Sequence, residues 1–318
     1  MGWRPDFQLH RKACVVKLGR DLVLTGAIDS FSPSLSARQH TISVVGRGKC
    51  ADLVDCSSEW VGGQISNCTA KQIAENLAAP YGIKVFGDDY DDYVVPQMNL
   101  NYTETPAAVL DSVLRYRALL AFEETDGNLR LANVGSTLSP SAIEEGQNVQ
   151  AASIDFRLDQ RYSEYIVMTQ SMDVFSDTGD IWLQEGRSVD SGVGRHRRKF
   201  MISEASRSGL NLAQKQADWE MKRRVGRSAA IRDTVDSWRD SSGFLWDINT
   251  LVAVNLPTLK LINKVWLITA VTFSRNLATG TTCDLIIMPP DAFSVPLPAP
   301  LPNRDVLEAL SGTPLETK

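Results

Sequence analysis

Histidine is scarce in this chain of 318 residues: His10, His40 and His196 are all it has. Its five cysteines, Cys14, Cys50, Cys56, Cys68 and Cys283, are odd in number, irregularly spaced and contain no CxxC pair. A structural zinc site needs closely spaced Cys and His side chains around a tetrahedral ion, and neither residue type supplies them. Cys50 and Cys56 have five residues between them, Asp52 and Asp55 included, which makes a poor zinc knuckle. Buried free thiols are the expected state. No apolar run approaches the ~20 residues that cross a bilayer. The start, Met1-Gly2-Trp3-Arg4-Pro5-Asp6, lacks the apolar stretch of a signal peptide. The expectation is a protein made in a cytoplasm, with no membrane association.

Signatures of catalysis are missing too. There is no GxSxG, HExxH or GxxxxGK[ST]. Gly46-Arg47-Gly48-Lys49 falls short of a phosphate loop and reads as a glycine-rich strand end. His10 lies near Cys14, but sequence spacing does not establish the hydrogen bond a Cys/His pair needs. The acidic run at residues 88–92 lacks the mid-loop glycine and closing glutamate of an EF-hand and reads as a solvated loop. Glu123, Glu124 and Asp126 surround a turn without the context of a glycosidase pair. The expected catalytic, cofactor and metal residues are therefore none.

What is present is an ordinary globular composition. Hydrophobic residues at 43% and charged residues at 22% exclude wholesale disorder. The length suits two domains, or three small ones. A net charge of −5 argues against a general nucleic-acid coat but leaves room for a local basic patch.

Residues 6–60 read as β. Ala13-Cys14-Val15-Val16-Lys17-Leu18 and Leu22-Val23-Leu24-Thr25-Gly26-Ala27-Ile28 flank a Gly19-Arg20-Asp21 turn, a hairpin. A Ser/Pro loop at 32–36 follows. Then comes a strand at 41–47, in which Ile42 and Val44 alternate with Thr41 and Ser43 as a half-buried strand does. Residues 69–135 read as α+β. Thr69 and Gln72 resemble a capping box opening a helix with Ile73, Ala74 and Leu77 on one face, stopped by Pro80 and Gly82. Thr105-Pro106 opens a second helix with Val109, Leu110, Val113 and Leu114 inward. Asp126-Gly127 turns a hairpin between 119–124 and 128–132.

Residues 148–290 return to β, with strands at 162–170, 250–256, 264–274 and 281–288 and one helix at 212–224. That helix carries Asn211 as N-cap and Ala213, Ala217 and Met221 on one stripe. Residues 173–195 read as a long polar loop. The closely spaced final strands suggest a barrel or sandwich. The tail from Pro289 is rich in proline, Pro296, Pro298, Pro300 and Pro302 among them, and should be extended.

The sharpest charge feature is Arg195-His196-Arg197-Arg198-Lys199, joined by Lys222, Arg223, Arg224 and Arg227. It reads either as a contact for an acidic partner or a nucleic-acid backbone, or as a solvated loop and helix face. Aromatic interleaving of the single-strand-binding kind is absent.

The order of the pieces carries a resemblance. Ile42-Ser43-Val44-Val45-Gly46-Arg47, then Ala51-Asp52-Leu53-Val54-Asp55-Cys56-Ser57, resembles a phrase of the central baseplate hub family of Mu-like phages. The helix of residues 74–82 leading into Pro80-Tyr81-Gly82-Ile83, and Asp126-Gly127-Asn128-Leu129, are similar to the family's next elements. So are Gly146-Gln147-Asn148-Val149, Arg161-Tyr162-Ser163-Glu164-Tyr165, Ala217-Asp218-Trp219-Glu220, Trp238-Arg239, Gly243-Phe244-Leu245-Trp246-Asp247-Ile248-Asn249 and Pro289-Pro290-Asp291-Ala292-Phe293. The resemblance spans roughly residues 6–293, and its ordered series is more specific than any one phrase.

The resemblance implies a mainly β fold with an α+β insertion, in which two tube-like antiparallel β-barrel domains bracket a small α+β domain. The expected division is 1–65 and 148–290 for the barrels, 66–147 for the insertion and 291–318 for a Pro-rich extension. It implies a homotrimeric ring of pseudo-sixfold symmetry joining the sixfold tail tube to the threefold spike of a contractile tail. Expected partners are the spike, a tail tube or tube-adaptor protein, other baseplate subunits and the tape measure protein. Genomic DNA passes the lumen without specific binding, and an acidic or neutral lumen suits that passage. The expected place is the virion, after assembly in a host bacterial cytoplasm. Arg195, Arg197, Arg198, Lys199, Pro296, Pro298 and Pro300 are the expected partner contacts. Three other readings stand beside it: the hub of a phage-derived contractile injection particle, a tail-associated cell-wall hydrolase using Glu123 or Glu124, and a glycan-binding module. The last wants clustered aromatics, whereas Trp3, Trp60, Trp182, Trp219, Trp238, Trp246 and Trp266 are scattered.

Overall fold

The structure, a computed structural model, describes residues 13–87, 94–101, 103–115, 119–135, 137–169, 184–203 and 209–293. The acidic run at 88–92, Trp3, Trp182, His10 and the proline tail beyond 293 lie outside them. The chain is mainly β. The described residues up to Ala132 form one compact unit and those from Asn133 a second.

The first unit opens with β1 (Ala13–Leu18), β2 (Asp21–Leu35) and β3 (His40–Gly48), an antiparallel sheet in that order. The expected hairpin is there. The expected Ser/Pro loop is instead the end of β2, where Pro33 pairs with Ile42. Among the described residues β1 accompanies β2 only as far as Ala27. Beyond it β2 is an edge strand, a place that tolerates proline.

The rest of the unit comprises α1 (Ala51–Asp55), β4 (Gln64–Thr69), α2 (Ala70–Ala78), β5 (Val85–Phe86), β6 (Val94–Asn99), α3 (Pro106–Arg115), β7 (Leu120–Glu123) and β8 (Leu129–Ala132). β4 pairs with β6, and β5, β8 and β7 form a small sheet. The capping box forms as read: Gln72 N donates to Thr69 Oγ1 at 3.2 Å, and Thr69 N donates to Gln72 Oε1 at 3.0 Å. Ile73, Ala74 and Leu77 of α2 and Val109, Leu110, Val113 and Leu114 of α3 are all buried where the two helices pack. Each large apolar side chain there contributes about 1.5–3 kcal/mol, an upper value because unfolded chains already bury some surface. Gly127 has φ +81, so the β7–β8 turn needs glycine at that position.

The second unit contains β9 (Ile143–Glu144), β10 (Val149–Phe156), β11 (Glu164–Thr169), β12 (Gln184–Val189), β13 (Arg198–Ser203), α4 (Gly209–Arg227), β14 (Ala229–Val235), β15 (Leu251–Leu256), β16 (Leu261–Asn276) and β17 (Gly280–Met288). Six strands form one sheet in the order β10-β14-β17-β16-β15-β9. A flat sheet of six strands would hold its edges about 24 Å apart. Yet the edge strands β9 and β10 are consecutive in sequence. Glu144 and Val149 are five residues apart, a reach of at most about 18 Å. The sheet therefore curls into a half-barrel. Its concave side packs Ile143, Ile231, Val235, Trp246, Val252, Val254, Leu256, Leu261, Ile268, Cys283, Leu285 and Ile287 into one core.

The second sheet, β12-β11-β13, lies against α4. Val167 of β11 meets Ala213 and Ala217 of α4, the small-residue stripe read from the sequence. Gly186 of β12 is the closest approach: a Cβ there would lie 2.1 Å from the backbone carbon of Ala213. β12 falls inside the expected polar loop of 173–195, and Asn211 lies within α4 rather than capping it. All five cysteines are free, but only Cys283 is fully buried and Cys56 is exposed, which corrects the expectation of buried thiols.

Candidate functional site

The carboxylates weighed for catalysis are engaged in holding the first unit together. Cys50 N donates to Glu123 Oε1 at 3.4 Å, and burial raises the Glu123 pKa. Glu124 is ion-paired with Arg130. Asp126 accepts from Asn128 N and Nδ2 at 3.0 and 2.7 Å, closing the turn. Burial also pushes the Cys50 thiol up to about 12, far from a reactive thiolate. Gly46-Arg47-Gly48 ends β3, and Arg47 pairs with Asp29 and Asp55.

The sheet β1–β3 has almost no core of its own: Gly26 is its one buried residue. Direct pairing of Phe31 with Val44 and of Pro33 with Ile42 puts these four side chains on one face, with Leu35 two residues further on. Leu35 is 84% exposed, Ile42 56% and Val44 53%. The alternation at Ile42 and Val44 does mark a strand, but Leu35, Ile42 and Val44 stay exposed among the described residues. A contiguous apolar stripe on a soluble surface marks an interaction site.

The second surface is the basic run of the second unit. Strand geometry divides it, because successive side chains point to opposite faces. Arg198 pairs with Glu164, which also takes Arg187 Nη2 at 2.6 Å. Arg198 shares its face with exposed Phe200 and Ile202. Lys199 lies on the other face, with Met201 and α4. There it meets Tyr162. Arg197 Cζ, Lys199 Nζ and Arg224 Cζ stand 5.0, 5.3 and 5.4 Å from the centre of that ring. The ring packs nearly perpendicular to that of Tyr165, with centroids 5.9 Å apart and planes at 81°, and Tyr162 N donates to Tyr165 Oη at 3.1 Å. Arg195 and His196 are exposed in the preceding loop.

Of the neighbouring carboxylates, Glu220 pairs with one member of this group, Arg224, and arginines outside the group occupy the others. Asp190 takes Arg161 and also accepts from Gly192 N at 2.9 Å, and its pKa is lowered chiefly by Arg161. Glu220 takes Arg224 at 2.6 Å and Arg223 at 3.5 Å. Glu164, held below the usual carboxylate range by Arg198 and then Arg187, is likewise occupied. Among the described residues the Arg197 guanidinium donates to a carbonyl, Asp159 O at 2.7 Å. Among the described residues the Lys199 ammonium has the Tyr162 ring. Among the described residues, then, Arg197 and Lys199 lack a carboxylate partner. At an effective dielectric near 20, unit charges 10 Å apart repel by about 1.7 kcal/mol, so Arg197 and Lys199 favour an anion beside them. The sequence singled out the cations but not Tyr162, whose cation contacts come from residues 35 to 62 positions away with no local signal. Pro296, Pro298 and Pro300 lie outside the described residues.

Three regions match known families. Residues 8–48 match the Mu phage baseplate assembly protein GpP-like N-terminal family. Residues 50–133 match the baseplate hub protein gp44-like second domain. Residues 210–296 match the Mu phage baseplate assembly protein GpP fourth domain. The baseplate hub protein gp44 of Escherichia phage Mu is 29% identical over 303 residues, which cover 92% of this chain and 79% of that protein. The 43 kDa tail protein of prophage MuSo2 from Shewanella oneidensis is 31% identical, with a TM-score of 0.80 over 92% of this chain and 88% of that one. A tail protein from Neisseria meningitidis MC58 shares the fold at 22% identity, with a TM-score of 0.78 over 93% of this chain and 88% of that one. The chain belongs to the family of Mu-like phage baseplate hub proteins.

Proposed function

We propose that this protein is the central hub of a contractile-tail baseplate. Three copies form a ring that joins the sixfold tail tube to the threefold spike and forms part of the DNA ejection conduit. In this reading two tube-like β-barrel domains, 1–65 and 148–290, build the ring. The α+β domain, 66–147, sits at its periphery, and the extension 291–318 lies along a neighbour. Partners are the spike, a tail tube or tube-adaptor protein, other baseplate subunits and the tape measure protein. The protein acts in the virion tail after assembly in the host bacterial cytoplasm. DNA passes a lumen lined mainly by acidic or neutral side chains, without specific binding.

The observation that carries the reading is the exposed apolar stripe of Pro33, Leu35, Ile42 and Val44 on a sheet with almost no core of its own among the described residues. Copies meeting there, and pairing their strand edges, would cover both liabilities at once. Family membership supports the same reading. The run from Arg195 to Lys199 and the prolines Pro296, Pro298 and Pro300 are further contacts with neighbouring proteins. A hub of a phage-derived injection particle would have the same geometry, and the genes beside this one separate the two, since a phage also encodes a capsid. The hydrolase reading is the weaker one, because Glu123 and Glu124 are engaged in backbone and ion-pair contacts. Negative-stain images of the protein mixed with its spike test the proposal: threefold rings with a central pore support it, and isolated particles without rings oppose it.

A further inference from the structure

We infer that Arg197, Lys199 and Arg224, gathered on the Tyr162 ring, form a receptor for carboxylate side chains of an acidic segment on a neighbouring baseplate protein. The inference rests on the hub reading only in supplying that neighbour. It narrows the basic run to a built site and removes Arg198, which Glu164 already holds on the opposite face of β13.

Four features point to a carboxylate receptor. The cations converge on a single ring, so they lie within about 11 Å of one another. Such a locus fits one or two anionic groups, not a strand of phosphates. Second, the frame is held in place from several sides. Arg197 Nη2 and Arg224 Nη1 donate to consecutive carbonyls, Asp159 O at 2.7 Å and Gln160 O at 2.9 Å. Ser163 Oγ and Arg197 bond each other through Arg197 O at 2.9 Å and Arg197 N at 2.8 Å. Third, the charge of Arg197 and Lys199 is unmet among the described residues: Arg161 takes Asp190, Arg187 and Arg198 take Glu164, and Glu220 is held by Arg224 of the trio together with Arg223. Arg197 and Lys199 keep donors for an incoming acceptor. Fourth, the ring is not open for nucleobases. Cations approach it and Tyr165 packs against it at 81°, whereas single-strand binders leave aromatic faces for stacking.

Titration calorimetry on the full-length protein with a hexaglutamate peptide at low salt tests the site. The expected result is binding that weakens as salt rises and falls at least tenfold in R197Q/K199Q. K199R keeps the charge and retains binding. R198Q binds as the parent does. The melting temperature of R197Q/K199Q is read beside the parent's, and K199Q alone serves if the double variant does not fold. Three results overturn the inference: no hexaglutamate binding by the parent, binding unchanged in R197Q/K199Q, or tighter binding of an oligothymidylate of six phosphates. Trimer formation is measured in parallel. A trimer that ignores hexaglutamate removes this site and leaves the hub reading standing. A monomer that binds it does the reverse.

Discussion

Asp190 receives both prongs of the Arg161 guanidinium, Nε to Oδ2 and Nη2 to Oδ1, each at 2.8 Å and across 29 positions of sequence. The carboxylate side chain is only 5% exposed. The pair ties the loop before β13 to the turn before β11 and so sets the position of Tyr162 and Arg197. Removing one partner leaves the other charge largely buried, at a cost of about 3 kcal/mol. Arg161 lowers the Asp190 pKa from its ordinary 3.8, so this stability is present above that value and is lost as pH falls through the lower folded value. D190A should unfold at lower denaturant than the parent at pH 7, and the gap should shrink at pH 2–3. An equal gap at both pH values would contradict this account of the pair.

Asp233 has the opposite linkage. It sits on the buried face of β14 between Ile231 and Val235, and neither carboxylate oxygen has a hydrogen-bond partner among the described residues. Burial, with Asp284 adding to it, raises its pKa from 3.8 to about 7. The folded state therefore holds a proton that the unfolded state has released. Stability falls as pH rises from about 4 to about 7, by up to roughly 4 kcal/mol. D233N should flatten this slope, and D233V should raise the melting temperature at pH 8. A parent whose melting temperature is the same at pH 5 and pH 8 would contradict the assignment.

Gly186 is where β12 meets α4. An alanine Cβ would overlap the backbone of Ala213, which a side-chain rotation does not relieve. G186A should cost about 1–3 kcal/mol in chemical denaturation, the range for overpacking a tight site. A neutral result would mean that the sheet and helix separate more easily than this contact implies.

Local rules found the elements that local rules specify. The capping box at Thr69 and Gln72, the Asp126-Gly127 turn and the inward face of α3 are written within a few residues, and the fold contains each. The strands at 251–256, 261–276 and 280–288 were legible for the same reason. β12 was not, because Gln184–Val189 is polar and is a strand through its register with β11 and its packing on α4. The end of β2 was hidden by Pro33, which reads as a loop unless the strand is known to be at an edge. Of the basic run, the charges were visible but their division was not. Which cations meet Tyr162 and which meets Glu164 depends on the phase of β13 and on α4 passing behind it.

The apolar stripe on β2 and β3 predicts an assembly defect without a folding defect. In I42E/V44E two carboxylates replace side chains that are more than half exposed in the single chain. Circular dichroism and melting should change little, since exposed substitutions typically shift stability by less than about 0.5 kcal/mol. Self-association should be lost.

Light scattering after size exclusion, over a range of concentrations, tests the central claim most directly. The account predicts a mass near three times 35.0 kDa, about 105 kDa, for the parent protein and about 35 kDa for I42E/V44E. A parent that stays at 35.0 kDa at every concentration would contradict it.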